Sequence, residues 1–396
     1  MYKSLITIFL LLWSSYFFAK PFANKNDEAP SNLQKAEQTL AKIYALYSID
    51  QTMLLAENYP TDPQYSATYV ATESQEVNKY SYLWPFSGTL SAVTALYIHN
   101  KDTSHLATLE NKVLPALKAY SDYERKPFCY QSYIADQGFS DRFYDDNIWI
   151  GLDFVDLYLH TNNKKYLDEA IDMWRFIESG TDNKLGGGVY WCEQKKFSKN
   201  TCSNAPAAVL AIKLYEATKD KDYLKQGLAI YNWTQKNLQD PDDKLYYDNL
   251  SLEGKLDKTK YAYNTGQMMQ AAALLYKCTK KKEYLQEAQI LGDAAMKYFT
   301  APHTPESGKA FPLIKKGNIW FTAILFRGYT ELFQIDKNMT NISIFDKNLN
   351  YIWNHGRDEN GLFQTDWSGK EKQSTKWLLT QAALVEMYAA MGKIKD

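Results

Sequence analysis

The feature of this chain that most constrains its fold is an internal repeat. Six apolar runs, each ending on Leu-Tyr or a similar pair, recur at intervals of 55 to 61 residues. Each run is apolar almost all the way round, which is typical of a helix that is buried on most of its faces. We therefore predict six inner helices, whose last aromatic residues are Tyr97, Tyr158, Tyr215, Tyr276, Phe333 and Tyr388.

A second type of helix is predicted between the inner ones. Three segments begin with a basic or polar turn followed by Tyr-Leu, and they contain Tyr166, Tyr223 and Tyr284. Apolar residues then recur every three or four positions while the opposite face is charged, which predicts an outer helix with one solvated face. Weaker examples run roughly over 32–58, 104–125 and 339–354.

Repeats of this length with two helices each can stack as an open solenoid or close into a ring. Closure is favoured because the six units use the whole mature chain and neither end carries a polar capping repeat. We predict an all-α protein, an (α/α)6 barrel of six helical hairpins, with residues 24–396 as a single domain. The N-termini of the inner helices should meet at one rim, where the loops 181–194, 240–250 and 358–367 should form short hairpins.

The N-terminus has the pattern of a secretion signal. Lys3 precedes the apolar run Leu5–Phe18, and Ala19 and Ala23 offer small residues for cleavage. The run is shorter than the roughly 20 residues that a membrane span requires, although an uncleaved anchor is an alternative. We predict a signal peptide over residues 1–23 and a secreted, periplasmic or cell-surface protein.

Composition narrows the function. With 45 basic and 46 acidic residues, the net charge of -1 argues against a nucleic-acid partner. Aromatic residues make up 15% of the chain, so rings beyond those of the core can line a cleft for sugars. The cysteines and histidines show no metal-binding spacing, and we predict no metal site. Cys192 and Cys202 can pair in an oxidising compartment or remain free thiols, and the sequence leaves both open.

Asp145 and Asp146 open one of the inner helices. A single Asp there is a favourable helix cap, whereas a second adjacent carboxylate adds repulsion. Retaining glycosidases need two carboxyl groups about 5–5.5 Å apart, and inverting ones about 6.5–9.5 Å. An adjacent pair suits the shorter distance. Repulsion raises one pKa, as a catalytic acid requires, while the N–H groups of the helix N-terminus keep the other carboxyl ionised.

The segment FYDDNIWIGL, which contains this pair, resembles the signature of glycoside hydrolase family 76. The stretches GGGVYW, SKNTCSNAPAA and YAYNTGQMMQAAALLY resemble the family too, so the likeness runs from about Trp84 to Trp377. That family contains endo-acting α-1,6-mannanases and related cell-wall enzymes built on an (α/α)6 barrel. The resemblance implies that Asp145 is the nucleophile and Asp146 the acid/base. It also implies retention of configuration without a metal or organic cofactor.

Further polar and aromatic residues stand at or near the starts of inner helices or in the rim loops. Each has a structural alternative, namely core packing, helix capping or an ion pair. The candidates for substrate binding are Trp84, Arg142, Tyr144, Asn147, Trp191, Tyr263, Asn264 and Trp320.

Together these features predict a secreted retaining glycoside hydrolase that cleaves α-1,6-mannosidic bonds in mannan-type polysaccharide. Its partner would be a polysaccharide or oligosaccharide substrate, with no nucleic acid and no stable protein partner. A hydrolase or lyase for acidic sugars is a weaker alternative because it would need a basic cleft. Two closer alternatives are a transglycosylase that remodels mannose-containing glycans and a noncatalytic glycan-binding protein of the same fold.

Overall fold

The computed structural model describes residues 29–67, 69, 78–306 and 308–395. The predicted signal peptide lies outside the described residues. Ser31–Asp396 forms one compact unit. Within the described part of the chain, no helix combines the length and the apolar character that crossing a bilayer would require.

The described residues contain six inner helices of 18 residues each. Five of them end in the same way: the residue after the helix adopts a left-handed conformation, and its N–H donates to the carbonyl of the repeated aromatic residue four positions earlier. This C-terminal cap ends each of the five helices after 18 residues. Numbering all helices in chain order, the inner helices are α2 (Leu83–Asn100), α5 (Tyr144–Thr161), α7 (Thr201–Thr218), α9 (Ala262–Thr279), α11 (Ile319–Asp336) and α13 (Leu378–Lys395).

The outer helices alternate with the inner ones. The first ends before the predicted residue 58, because the chain turns at Ser48 and pairs with Leu55. The second is broken by a π-helical turn at Leu109–Val113. The outer helices are α1 (Asn32–Tyr47), α3 (Thr103–Thr108) with α4 (Leu114–Leu117), α6 (Lys164–Ser179), α8 (Lys221–Leu238), α10 (Lys282–Phe299) and α12 (Met339–His355).

The inner helices form a closed ring. Each contacts the next one along the chain, and α13 contacts both α11 and α2. Between α9 and α11 the approach is so close that a Cβ on Gly266 would lie 2.4 Å from the Cα of Leu325. The outer helix α1 packs on α13, so the first and the last described helices also contact each other. The predicted (α/α)6 barrel is therefore confirmed, and the open solenoid is excluded.

Short antiparallel strands occupy the connections that lead from outer to inner helices. Single-residue bridges between Thr181 and Val189, Gln239 and Tyr246, and Arg357 and Phe363 close the three loops that were predicted to form hairpins. The strand pairs are β1 (Asn58–Tyr59) with β9 (Lys376–Trp377), β2 (Ser121–Asp122) with β3 (Cys129–Tyr130), the three-stranded sheet β4 (Ser198–Asn200), β5 (Tyr247–Ser251) and β6 (Leu256–Lys260), and β7 (Thr300–His303) with β8 (Phe311–Ile314).

Candidate active site

A cavity of about 490 Å³ lies at the N-terminal ends of the inner helices, within the range of about 300–1,000 Å³ that is typical of ligand pockets. Equivalent positions of the repeat converge on it. Among the described residues, the second residue of five inner helices lines the cavity, so these N-termini share one rim as predicted. These second residues are Trp84, Asp145, Cys202, Tyr263 and Trp320.

The fourth residue of an inner helix has a different task. Asn147 accepts a hydrogen bond from the Tyr130 N–H at 2.8 Å and donates to the Tyr130 carbonyl at 2.9 Å. Asn204 makes the same two contacts with Val189, at 2.7 and 2.8 Å. These side chains fasten the preceding hairpin to the helix. They satisfy buried backbone groups that would otherwise lack partners.

One side of the cavity is polar and comes from the three-stranded sheet. We call Ser198, Asn200, Asp248, Asn249 and Ser251 the polar wall. Burial raises the pKa of Asp248, and a hydrogen bond from the Asn249 amide at 2.9 Å acts against this. The loop 240–250 was predicted to border a cleft, but these side chains were not identified. Three of them belong to the segment YYDNLS, whose polar residues are typical of an ordinary turn. Only the three-stranded sheet shows that this segment lies at the cavity.

The cavity also has an aromatic side. We call Tyr69, Tyr82, Trp84 and Trp320 the aromatic wall; all four line the cavity. The ring centroids of Tyr69 and Trp84 are 5.2 Å apart, and those of Trp84 and Trp320 are 5.5 Å apart, both with edge-to-face geometry. Trp149, four residues after Asp145, packs edge-to-face on Trp320 at 4.9 Å. Such contacts hold the rings in fixed orientations.

Asp145 and Asp146 lie in the first turn of α5, where the N-cap residue is Phe143. Neither aspartate is therefore the N-cap. The Asp146 N–H donates to Asp145 Oδ1 at 3.1 Å. The indole N–H of Trp191 donates to Asp145 Oδ2 at 3.2 Å. Both carboxyl groups line the cavity.

The two aspartates differ in their electrostatic surroundings. Burial raises the pKa of Asp146 well above its usual range, and the charge of Asp145 raises it further. Burial also raises the pKa of Asp145, but hydrogen bonds from the Cys202 thiol, the Asp146 N–H and the Trp191 indole act in the opposite direction. Hydrogen bonds to a carboxylate favour its charged form. Near neutral pH, Asp146 is therefore the member of the pair that keeps a proton.

Six of the predicted site residues meet in the cavity: Asp145, Asp146, Trp84, Trp191, Tyr263 and Trp320. Trp320 is only 2% exposed and lies deeper than a rim position. The described residues that line the cavity do not include the other four candidates, Arg142, Tyr144, Asn147 and Asn264.

Arg142 and Tyr144 are structural instead. The Arg142 side chain is fully buried and pairs with Asp122 at 2.9 Å and Glu193 at 2.7 Å, so its charge is already neutralised away from the cavity. Tyr144 is buried and stacks on Phe176 with a centroid distance of 4.7 Å. Arg142 lies before the N-cap Phe143 and Tyr144 is the first residue of α5, and both side chains are buried in the packing around this helix.

Asn147 and Asn264 are buried behind the cavity surface. The side chain of Asn147 makes its hydrogen bonds to the backbone of the hairpin, as described above. Asn264 is 1% exposed and does not line the cavity. Polar residues at the starts of inner helices do lie near the rim. Neighbouring helical residues point about 100° apart, however, so only some of these side chains reach the cavity.

The sequence left open whether two cysteines near the site pair, and it predicted no metal site. The thiols of Cys192 and Cys202 are both free and buried, so the disulfide alternative is not realised. In the described part of the chain, no cluster of three or more His, Cys, Asp or Glu side chains has an arrangement that could hold a metal ion.

Solved structures of similar fold include family 76 glycoside hydrolases. A family 76 glycoside hydrolase from a bovine Bacteroides thetaiotaomicron strain is 31% identical with a TM-score of 0.83, over 93% of this chain and 78% of that one. A family 76 mannosidase from Bacteroides thetaiotaomicron is also 31% identical, with a TM-score of 0.83, over 92% and 98%. An inactive variant of an α-1,6-mannanase from Salegentibacter sp. HEL1_6, solved with α-1,6-mannotriose, is 22% identical with a TM-score of 0.72, over 91% and 99%, and shows a shared fold.

A curated protein and a family pattern also match the sequence. The meiotically up-regulated gene 191 protein of Schizosaccharomyces pombe is 30% identical over 195 residues, which are 45% of this chain and 43% of that protein. The match thus spans less than half of that relative's length. The sequence pattern of glycosyl hydrolase family 76 matches residues 37–394, almost all of the helical barrel. The chain therefore belongs to glycosyl hydrolase family 76.

Proposed function

We propose that the protein is a secreted retaining glycoside hydrolase that cleaves α-1,6-mannosidic bonds in mannan-type polysaccharide. The observation that carries the proposal is a pair of adjacent carboxyl groups, Asp145 and Asp146, in one cavity but in unlike surroundings. Environments that push two carboxyl pKa values apart are the pattern of a glycosidase that needs both a nucleophile and an acid.

The roles follow from these surroundings. Ionised Asp145, held by Trp191, attacks the anomeric carbon of an α-mannoside and forms a β-linked glycosyl-enzyme. Protonated Asp146 gives its proton to the departing oxygen as the glycosidic bond breaks. The carboxylate left on Asp146 then takes a proton from water, which attacks the anomeric carbon and releases Asp145. The product keeps the α configuration after two inversions.

The two sides of the cavity suit a sugar. The polar wall offers carboxylate, amide and hydroxyl groups of Asp248, Asn249 and Ser251 to the hydroxyls of a mannose. The aromatic wall offers flat rings to the apolar faces of the pyranose. Both kinds of group meet at the carboxyl pair, as a glycosidase cavity requires.

Substrate and location rest on different support. Mannose is supported by the family 76 mannosidase that is 31% identical. The α-1,6 linkage is supported by the family resemblance and by the α-1,6-mannanase that shares the fold. Export is supported by the signal-peptide pattern of residues 1–23.

Azide rescue tests the role of each carboxyl group. With an activated aryl α-1,6-mannobioside, we expect the Asp146→Ala variant to accumulate the glycosyl-enzyme, because departure of the aryl group needs little protonation. Azide opening this β-linked intermediate should give an α-glycosyl azide. In the Asp145→Ala variant no intermediate forms, and azide attacking the α-substrate directly should give a β-glycosyl azide.

The anomer of each azide is read by NMR. Swapped anomers would reverse the two roles, and near-normal turnover by both variants would remove the pair from catalysis. Incubation of the unmodified protein with linear α-1,6-mannan separates the remaining alternatives. Shorter oligosaccharides indicate hydrolysis, longer products indicate a transglycosylase, and binding without turnover indicates a noncatalytic protein.

A further inference from the structure

A third buried carboxylate, Glu57, stands behind the cavity. It is 3% exposed and does not itself line the cavity. Burial raises its pKa, and the surrounding hydrogen-bond donors act against this. Among the described residues, its donors are the hydroxyls of Tyr65 (2.8 Å) and Tyr69 (2.7 Å), the amide of Asn78 (3.1 Å), the backbone N–H of Tyr82 (3.0 Å) and the indole of Trp377 (3.2 Å).

These donors connect Glu57 to the aromatic wall. Tyr69 and Tyr82 belong to the wall, and Trp377 packs behind it, with ring centroids 5.7 Å from Tyr69 and 5.3 Å from Trp84. One carboxylate therefore holds the side chains of Tyr69 and Trp377 and the backbone of Tyr82, which come from three separate parts of the chain. Charge-assisted hydrogen bonds are the stronger kind, so Glu57 constrains the wall more firmly than ring packing alone.

Helix α5, which carries the acid pair, lies between α2, which carries Trp84 of the aromatic wall, and α7, which follows strand β4 of the polar wall. Burial and Glu57 raise the pKa of Tyr69, and the charge of Asp146 contributes to the same shift. Asp145 instead accepts a hydrogen bond from Trp191, which lies in the connection between α6 and α7 that also carries strand β4 of the polar wall. The cavity is thus divided, with Asp145 beside the polar wall and Asp146 beside the aromatic wall.

This division gives the cavity a direction. In a retaining glycosidase the nucleophile meets the sugar that becomes covalently bound, and the acid/base meets the departing sugar. Resting on the proposed function, we infer that Glu57 is a positioning residue that holds the aromatic wall in place for the departing sugar. The sugar that forms the glycosyl-enzyme then lies against the polar wall.

Two substrates separate the halves of the cavity. α-1,6-Mannotetraose places sugars on both sides of the cleaved bond, whereas α-1,6-mannobiosyl fluoride has fluoride as its leaving group and puts no sugar on the aromatic wall. For Glu57→Gln, we expect kcat/KM for mannotetraose to fall about tenfold, which corresponds to about 1.4 kcal/mol. The value for the fluoride should stay within about twofold, which corresponds to about 0.4 kcal/mol.

A matched control is Glu331→Gln. Glu331 is also buried and pairs with Lys277 at 3.0 Å, near the C-terminal end of α11 and so at the other end of the barrel. The Glu331→Gln variant should leave unchanged the ratio of kcat/KM for mannotetraose to kcat/KM for the fluoride. If Glu57→Gln does not fold, Trp377→Phe removes one donor and keeps a ring, and it should lower the same ratio by about twofold, or about 0.4 kcal/mol.

An equal loss on both substrates, or a loss on the fluoride alone, would overturn the role of Glu57. If the unmodified protein turned over neither substrate, the proposed function would be wrong instead. The two failures are therefore separate.

Discussion

Asp145 and Asp146 share one peptide bond, yet their side chains meet different neighbours. Trp191 and Cys202 donate to Asp145, while Asp146 has burial and the charge of Asp145 acting on it. The donors come from a rim loop and from a second inner helix. A difference between adjacent residues is therefore produced by parts of the chain about 50 residues away.

The indole of Trp191 should set the acidic limb of the activity. Trp191→Phe keeps a ring but removes the N–H that donates to Asp145. Its loss disfavours the charged carboxylate, so the pKa of Asp145 rises and activity is lost at a higher pH on acidification. A hydrogen bond to a charged group is worth about 1.5–3 kcal/mol, so we expect the low-pH limb of kcat/KM to move up by about one pH unit.

The pH profile of kcat/KM checks this expectation because it reports the groups of the free enzyme. Trp174→Phe is the control, since Trp174 is buried on the outer helix α6 and does not line the cavity. An unmoved acidic limb in Trp191→Phe would show that the indole does not hold Asp145.

At the scale of the element, one arrangement recurs around the barrel. In the described inner helices α5, α7, α9 and α13, the fourth residue accepts a hydrogen bond from the N–H of the hairpin before it. The second residue of α5, α7 and α9 is left to face the cavity. Structural and functional positions thus alternate within one turn; the fastening residues are Asn147, Asn204, Thr265 and Gln381.

Arg142 links two of these connections. Its side chain joins Asp122 of β2 to Glu193 of the next rim loop. A backbone hydrogen bond also joins the start of α5 to this rim loop, because the Tyr144 N–H donates to the Trp191 carbonyl at 2.9 Å. The network therefore supports the segment that carries Trp191. The network supports the site from outside the cavity. This explains why Arg142, which was predicted to bind substrate, does not line the cavity.

Loss of this network should cost stability. Arg142→Gln would leave Glu193 without an ion-pair partner and would leave Asp122 with Arg125 as its remaining one. Breaking a buried ion pair costs about 3–5 kcal/mol, so we expect a fall of about 3 kcal/mol in the free energy of unfolding. Urea denaturation measures it, and the exposed pair Arg175–Asp172 supplies the control Arg175→Gln, with about 0–1 kcal/mol. A large rise in KM at unchanged stability would instead make Arg142 a substrate ligand.

At the scale of the whole molecule, charged residues join neighbouring inner helices away from the cavity. Lys213 pairs with Asp156 between α7 and α5, and Arg327 pairs with Glu386 between α11 and α13. Asp153 lies buried beside Arg327, and its carboxylate accepts a hydrogen bond from Ser91 at 2.6 Å. Burial raises the pKa of Asp153 to about 7. The interior of the ring therefore contains a group that titrates near neutral pH.

This titration should make the stability of the barrel depend on pH. Between about pH 4 and pH 7, folded Asp153 holds a proton that the unfolded chain has released. Unfolding then releases a proton, so stability falls as the pH rises through this window. Relative to Asp153→Asn, the unmodified protein should lose up to about 1.4 kcal/mol per pH unit. Urea denaturation of both proteins at several pH values measures the difference, and a constant difference would contradict the prediction.

The barrel and the position of its acid pair could be predicted from the amino-acid sequence. Apolar runs of constant length, alternating with amphipathic ones, can bury their faces only against one another, and these patterns are local. Which side chains reach the cavity was decided by the tertiary structure. Arg142, Tyr144 and Asn147 surround the acid pair in the sequence, but packing turns them away, whereas Asp248 and Tyr69 arrive from distant segments. Burial and pKa depend on such neighbours, because desolvation and hydrogen bonding act through space and not along the chain.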